Sequence, residues 1–201
     1  MMDVNKAVNQ ISEIHRHLAK SEVFYGYKPK TVLIVGIAAF VTAAVQTWWI
    51  IPARSIIFLL QWLTVGSAII VIIGGNIIYN YLKSGSNFEI HQMSKVFLQF
   101  VPSLMAGFII TSVIILLENS AIEFLPGIWA MLFGLGIFSM RPYLPRMVGY
   151  AALFYLIAGS VLLYLVRYNL SFSPWGMGLT FGIGHLFAAL ILHLDIERKT
   201  G

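Results

Sequence analysis

Six long apolar stretches without a charged residue run along the chain, at 31–51, 56–82, 96–117, 124–140, 147–166 and 173–194. A helix needs about 20 consecutive apolar residues to cross the hydrocarbon core of a bilayer. The pattern therefore predicts an all-α integral membrane protein with six transmembrane helices. The fourth stretch is the shortest, 17 residues or about 26 Å of helix at 1.5 Å per residue. It crosses if its ends use the interface or the bilayer thins locally; re-entry on the same side is the alternative.

The polar segment before these stretches has a different period. Val4, Ala7, Ile11, Ile14 and Leu18 recur at spacings of three and four, with Lys6, Glu13, Arg16, His17 and Lys20 on the other side. That stripe predicts an N-terminal amphipathic helix, with Asp3 as its N-cap and Pro29 breaking the chain before the first span. No short apolar core precedes a small-residue cleavage site here, so the first span is expected to act as the insertion signal. The expected organisation is a cytoplasmic helix and tether at 1–30, then a six-helix transmembrane domain at 31–201.

Charge gives the orientation. With the N-terminus inside, Lys6, Arg16, Lys20, Lys28, Lys30, Lys83, Lys95, Arg141, Arg146, Arg198 and Lys199 are cytoplasmic, and only Arg54 and Arg167 are outside. Short cytoplasmic loops carry the excess of Lys and Arg. The asymmetry therefore expects an even number of spans, with both termini in the cytoplasm of a cell-membrane protein. Trp48, Trp49, Tyr168 and Trp175 then fall at outer edges, and Tyr27, Tyr79, Tyr81 and Tyr143 at inner ones, where amphipathic rings settle.

Composition narrows the classes. Hydrophobic residues make up 59% of the chain and charged ones 10%, far from the quarter or so that a water-facing surface needs. The formal net charge of +5 does not imply nucleic acid, because the basic residues sit in short tethers between apolar runs. With no cysteine, disulfides, thiolate nucleophiles and Cys-held metals are excluded.

The two halves, 31–117 and 124–194, match in order. Gly36-Ile37-Ala38-Ala39 lies against Gly127-Ile128-Trp129-Ala130, Trp62 to Ser67 against Tyr155 to Ser160, and Phe100, Pro102 and Met105 against Phe172, Pro174 and Met177. The offsets are 91, 93 and 72, the drop reflecting a longer second loop at 83–95. A repeat of three spans must be inverted in the membrane, a plan that recurs in transporters with the site near the midplane.

Few polar residues lie deep in the spans. His185 is central in the sixth, where an ionisable side chain is costly and usually faces a cavity or a partner. It suits a proton-linked step or recognition of a polar solute; a structural histidine bonded to a neighbouring helix is the other reading. Asn76, Gln61 and Gln99 are further pathway or ligand candidates, and with Gln46 they are equally suited to bonds between helices. Gly178 and Gly182, in GxxxG spacing, and Gly134 and Gly136 are expected at close helix contacts. Phe133-Gly134-Leu135-Gly136 also resembles Phe181-Gly182-Ile183-Gly184. His193 and Glu197 share a helix face four residues apart, without a third ligand to complete a metal site. No catalytic constellation is present: no HExxH, no GxSxG, no phosphate-binding loop. No cofactor is expected.

Three functions fit these features. The first is a small channel or transporter passing a small solute or ion by His185, as a single chain or a homodimer. The second is a sensor or scaffold that binds a cytosolic protein through residues 1–24. The third is a membrane-embedded enzyme acting on lipid. Membrane lipids are the expected partners in every case.

Overall fold

The computed structural model describes residues 29–49, 55–84, 87–117, 121–168 and 173–200. The N-terminal amphipathic helix expected at 1–24 lies outside the described residues. Among those described there are helices and turns and no strand. The helices are α1 (Pro29–Trp49), α2 (Ser55–Ser84), α3 (Asn87–Leu116), α4 (Leu125–Met140), α5 (Val148–Leu165) and α6 (Pro174–Thr200).

Proline marks several boundaries. Pro29 and Pro174 open α1 and α6, where a missing N–H costs nothing. Pro126 stands in the first turn of α4. Leu144 is extended, with φ −117° and ψ 161°, as expected for a residue whose α-region is blocked by the ring of Pro145. Among the described residues, Pro102 alone lies inside an α-helix, on an exposed position of α3.

Among the described residues, five helices are long and apolar enough to cross a membrane, and α2 contributes a shorter apolar stretch, Ile57–Ile72. The fourth apolar stretch is longer than its charge-free core indicates. Helical turns at Ile122–Phe124 and Arg141–Tyr143 flank α4, extending the span to Ile122–Tyr143, 22 residues. The loop expected at 83–95 is largely absent: α2 runs to Ser84 and α3 starts at Asn87. Charged residues end the apolar stretch there without ending the helix.

The surface is apolar. Ile34 is 64% exposed, Phe108 75% and Leu116 81%, an arrangement that suits lipid and would be costly in water. The interior holds small residues, with Ala43, Ala130, Ala151 and Ala152 fully buried. Since lipid tails are as apolar as leucine, helices associate by close van der Waals packing, which small residues allow.

That packing is uneven. The most extensive contacts are α1 on α6 and α4 on α5, followed by α3 on α4 and α5 on α6. A Cβ on Gly159 would stand 2.8 Å from the Gly127 carbonyl oxygen, and one on Gly36 would stand 3.1 Å from that of Gly182. α2 is the exception, touching α1 and the Ile122–Phe124 turn over short lengths. Gly66 on α2 has open space where a Cβ would stand. The positions matched between the halves are thus used differently: Gly36 faces α6 whereas Gly127 faces α5, and Gly159 is sealed whereas Gly66 is free.

Candidate functional site

The glycines on α4 and α6 make room for one ring. Gly134 lies against the carbonyl of Ala152 and the Cβ of Tyr155, and Gly184 lies against the Tyr155 ring itself. Phe133 and Phe181 open the two similar tetrapeptides, each just before its first glycine. Their rings close on Tyr155 at centroid distances of 4.8 and 5.6 Å, and on each other at 5.7 Å. Both tetrapeptides thus border Tyr155 of α5, which is fully buried, but through different glycines: Gly134 of the first and Gly184 of the second, while Gly136 faces Phe100 and Gly182 faces Phe40.

His185 completes the cluster. It projects from α6 one turn beyond Phe181, with its ring 5.4 Å from Phe133 and 6.0 Å from Tyr155. Its Nδ1 is 2.7 Å from the Tyr155 hydroxyl oxygen and 2.7 Å from the Phe181 carbonyl oxygen. The histidine is held both by its own helix and by a neighbour, so its ring is fixed. Among the described residues its Nε2 has no hydrogen-bonding partner, and it is not one of the polar atoms sealed in the interior.

His185 also lines a cavity of about 700 Å³. Its walls come from five helices: Val35 and Ala39 of α1, one face of α2 between Trp62 and Ile70, one face of α3 between Phe100 and Ile115, Trp129, Leu132 and Phe133 of α4, and Met177, Phe181 and His185 of α6. Among the described residues α2 touches its neighbours only over short lengths, which leaves this space beside it. The lining is almost wholly hydrocarbon and aromatic. Polar groups come from Ser67, Ser103, Ser112, Thr111, two tryptophans and His185. Several of these are already engaged. Trp129 Nε1 donates to Thr111 Oγ1 at 2.8 Å, Thr111 donates to the Gly107 carbonyl at 2.7 Å, and Trp62 Nε1 donates to Gln46 Oε1 at 2.9 Å.

The other candidates lie elsewhere. Gln61 is outside the lining, with its Oε1 buried and unpartnered, as is the Nε2 of Gln46. Gln99 is exposed on α3, away from the lining. The side chain of Asn76 lies outside the described residues. Gly178 and Gly182 abut Ala43 and Phe40, and Gly136 abuts the Phe100 ring, so all four glycines singled out by spacing stand at helix contacts. His193 Nε2 is 3.1 Å from Glu197 Oε1 on an exposed face, and no cluster of three metal-ligating side chains occurs among the described residues.

Tyr155, Trp62 and Trp129 escaped sequence reasoning as polar residues. Their one available signal is that each is an amphipathic ring inside an apolar stretch rather than at its edge, where a protein partner for its polar atom is favoured. No protein family, curated protein or solved structure matches the chain.

Proposed function

We propose that this chain is a six-span carrier for a small lipid-soluble molecule, which it binds in mid-membrane between α2 and α3 with one polar group directed at His185. The observation that carries this reading is the cavity: about 700 Å³, nearly all apolar, with a fixed histidine on its inner wall. An ion or a polar solute needs several converging polar groups to replace its water. Here the pathway amides Gln61 and Gln99 stand outside the lining, so the chemistry favours a hydrophobic cargo over the ion or polar solute that the histidine alone suggests.

The cavity is partly open and lined by hydrocarbon, so a lipid chain or a lipid-soluble molecule suits it better than water. The loose seating of α2 gives the cargo a way in from the bilayer.

In this reading α2 crosses with the five longer helices, both termini face the cytoplasm of a cell membrane, and the inverted repeat rests on the ordered sequence matches between halves. A thermal-stability screen of the purified protein against lipid-soluble compounds tests the function. A ligand of the native state raises the melting temperature by mass action. The same compound should leave Gly107→Phe unchanged. Gly107 lines the cavity, and a Cβ there meets only Leu132 Cδ1 at an ordinary 3.6 Å, so a larger side chain can leave the backbone without a clash at its Cβ and take up part of the space. Stabilisation by ions or polar solutes alone would sink the proposal.

A further inference from the structure

The bonds at one nitrogen of His185 decide what the other offers the cavity. A neutral imidazole carries one N–H and one bare nitrogen, and the bond made by the first sets the state of the second. Nδ1 has two oxygens at 2.7 Å, the Tyr155 hydroxyl and the Phe181 carbonyl. These neighbours are not equivalent. A hydroxyl donates or accepts, whereas a carbonyl only accepts.

The carbonyl is therefore the one that discriminates. A separation of 2.7 Å is at the short end for an N–H···O bond. A bare nitrogen there would hold its lone pair against those of the carbonyl oxygen, so the contact requires the proton on Nδ1. Phe181 stands four residues before His185 within α6. Its carbonyl has two lone pairs, one for the backbone N–H of His185 and one for the ring. The Tyr155 oxygen accepts from the same ring N–H in a three-centre bond, with its own proton rotated away from Nδ1. Both contacts are then hydrogen bonds as they stand.

We infer that the Phe181 carbonyl holds His185 as its Nδ1–H tautomer, so that a bare Nε2 faces the cavity and selects an apolar molecule carrying a hydrogen-bond donor: an alcohol or a phenol. The ligand class rests on the carrier reading; the tautomer rests on geometry alone. Nε2 has no partner among the described residues, and it is not sealed off from the cavity that His185 lines. A guest hydroxyl satisfies that acceptor, whereas a ketone or an ester brings only a second acceptor to it. The chains and ester groups of surrounding phospholipids carry no donor, and their headgroups stay at the membrane surface. The cargo must bring its own hydroxyl into the hydrocarbon core. One acceptor in an apolar pocket gives orientation and specificity, while the apolar walls supply affinity.

Nitrogen NMR reads the tautomer directly. His15→Gln, His17→Gln, His91→Gln and His193→Gln together leave His185 as the one labelled ring of the five histidines, with Tyr155 and Phe181 unchanged beside it. The expected spectrum has a protonated Nδ1 and a bare Nε2. Tyr155→Phe, which removes only the hydroxyl, should leave that spectrum in place, because the Phe181 carbonyl holds the proton without it. Three probes of equal chain length then test the ligand class: tridecanol, tridecanone and tridecane. Their affinities come from the rise in melting temperature with probe concentration in detergent. The alcohol should bind about tenfold more tightly than either of the others, the worth of one buried hydrogen bond. His185→Leu should erase that advantage and leave alkane binding in place.

The results separate the two readings. A ring protonated on Nε2, or on both nitrogens, overturns the inference even where probes bind and the carrier reading stands. The expected spectrum with the alcohol bound no more tightly than the alkane overturns the ligand class and keeps the carrier. If no probe binds, the carrier reading falls and the ligand class with it. The spectrum needs no change at Tyr155 or His185, so a variant there that fails to fold cannot rescue a wrong assignment.

Discussion

At the residue scale, the deep polar atoms decide most of the energetics, because lipid offers them no alternative partner. Gln46 is 2% exposed, and its Oε1 accepts a hydrogen bond from Trp62 Nε1 while its Nε2 has no partner among the described residues. The indole can only donate, so the amide cannot be turned around to relieve that orphan. Trp62→Phe should therefore destabilise the protein by about 1–3 kcal/mol, the cost of stranding the acceptor. Gln46→Met with Trp62→Phe should lie much closer to the wild type, since both partners leave together. A double-mutant cycle on denaturation midpoints in detergent measures this, and strictly additive losses would show that the bond carries no coupling. His185 was legible in the sequence because an ionisable residue stands out in an apolar span. Its partner was not, because a tyrosine is ordinary in a membrane protein until its depth and its neighbour on another helix are known.

At the element scale, backbone approach sets the order of helix contacts. Gly159 is closed in by Met131 and the Gly127 carbonyl, at 2.6 and 2.8 Å from an added Cβ, whereas Gly66 has nothing within 4 Å. Gly159→Ala should therefore cost about 1–3 kcal/mol by overpacking. Gly66→Ala should be neutral or stabilising by up to about 1 kcal/mol, as expected for glycine in an open helix. Equal losses at the two would mean that α2 is packed as tightly as α5 and that there is no room beneath it. Apolar length was enough to place α1, α3, α5 and α6, and the four glycines at 134, 136, 178 and 182 announced helix contacts. The helical continuation through 87–95 was hidden, because a charge ends the hydrocarbon region without ending the helix. The loose seating of α2 was hidden too, since its sequence is as apolar as its neighbours'.

At the scale of the whole molecule, the account joins a packed set of α1, α3, α4, α5 and α6 to α2, which is seated over short lengths and leaves space against it. The proposed orientation gives a direct prediction, helped by the absence of native cysteine. A membrane-impermeant maleimide applied to intact cells should label Asn169→Cys, in the segment before α6, and spare Lys199→Cys at its far end. Labelling of both, or of the second alone, would contradict the arrangement of both termini in the cytoplasm. The inverted plan was read from ordered matches between halves, and packing does not follow it closely: α4 lies along α5, while α1 barely touches α2. The cavity could not be read from sequence at all, because it arises from the loose seating of α2.

The central claim is that this cavity holds a lipid-soluble molecule. Trp62 and Trp129 both line it, so a bound brominated quencher should darken them. The measurement is a titration of detergent-purified Trp48→Phe/Trp49→Phe/Trp175→Phe protein with a brominated long-chain alcohol, following fluorescence from the two remaining indoles. The account predicts saturable quenching that disappears when Gly107→Phe takes up part of the space. Weak, linear quenching that is the same with and without Gly107→Phe would contradict it, since that is how indoles behave toward a quencher dissolved in the surrounding micelle.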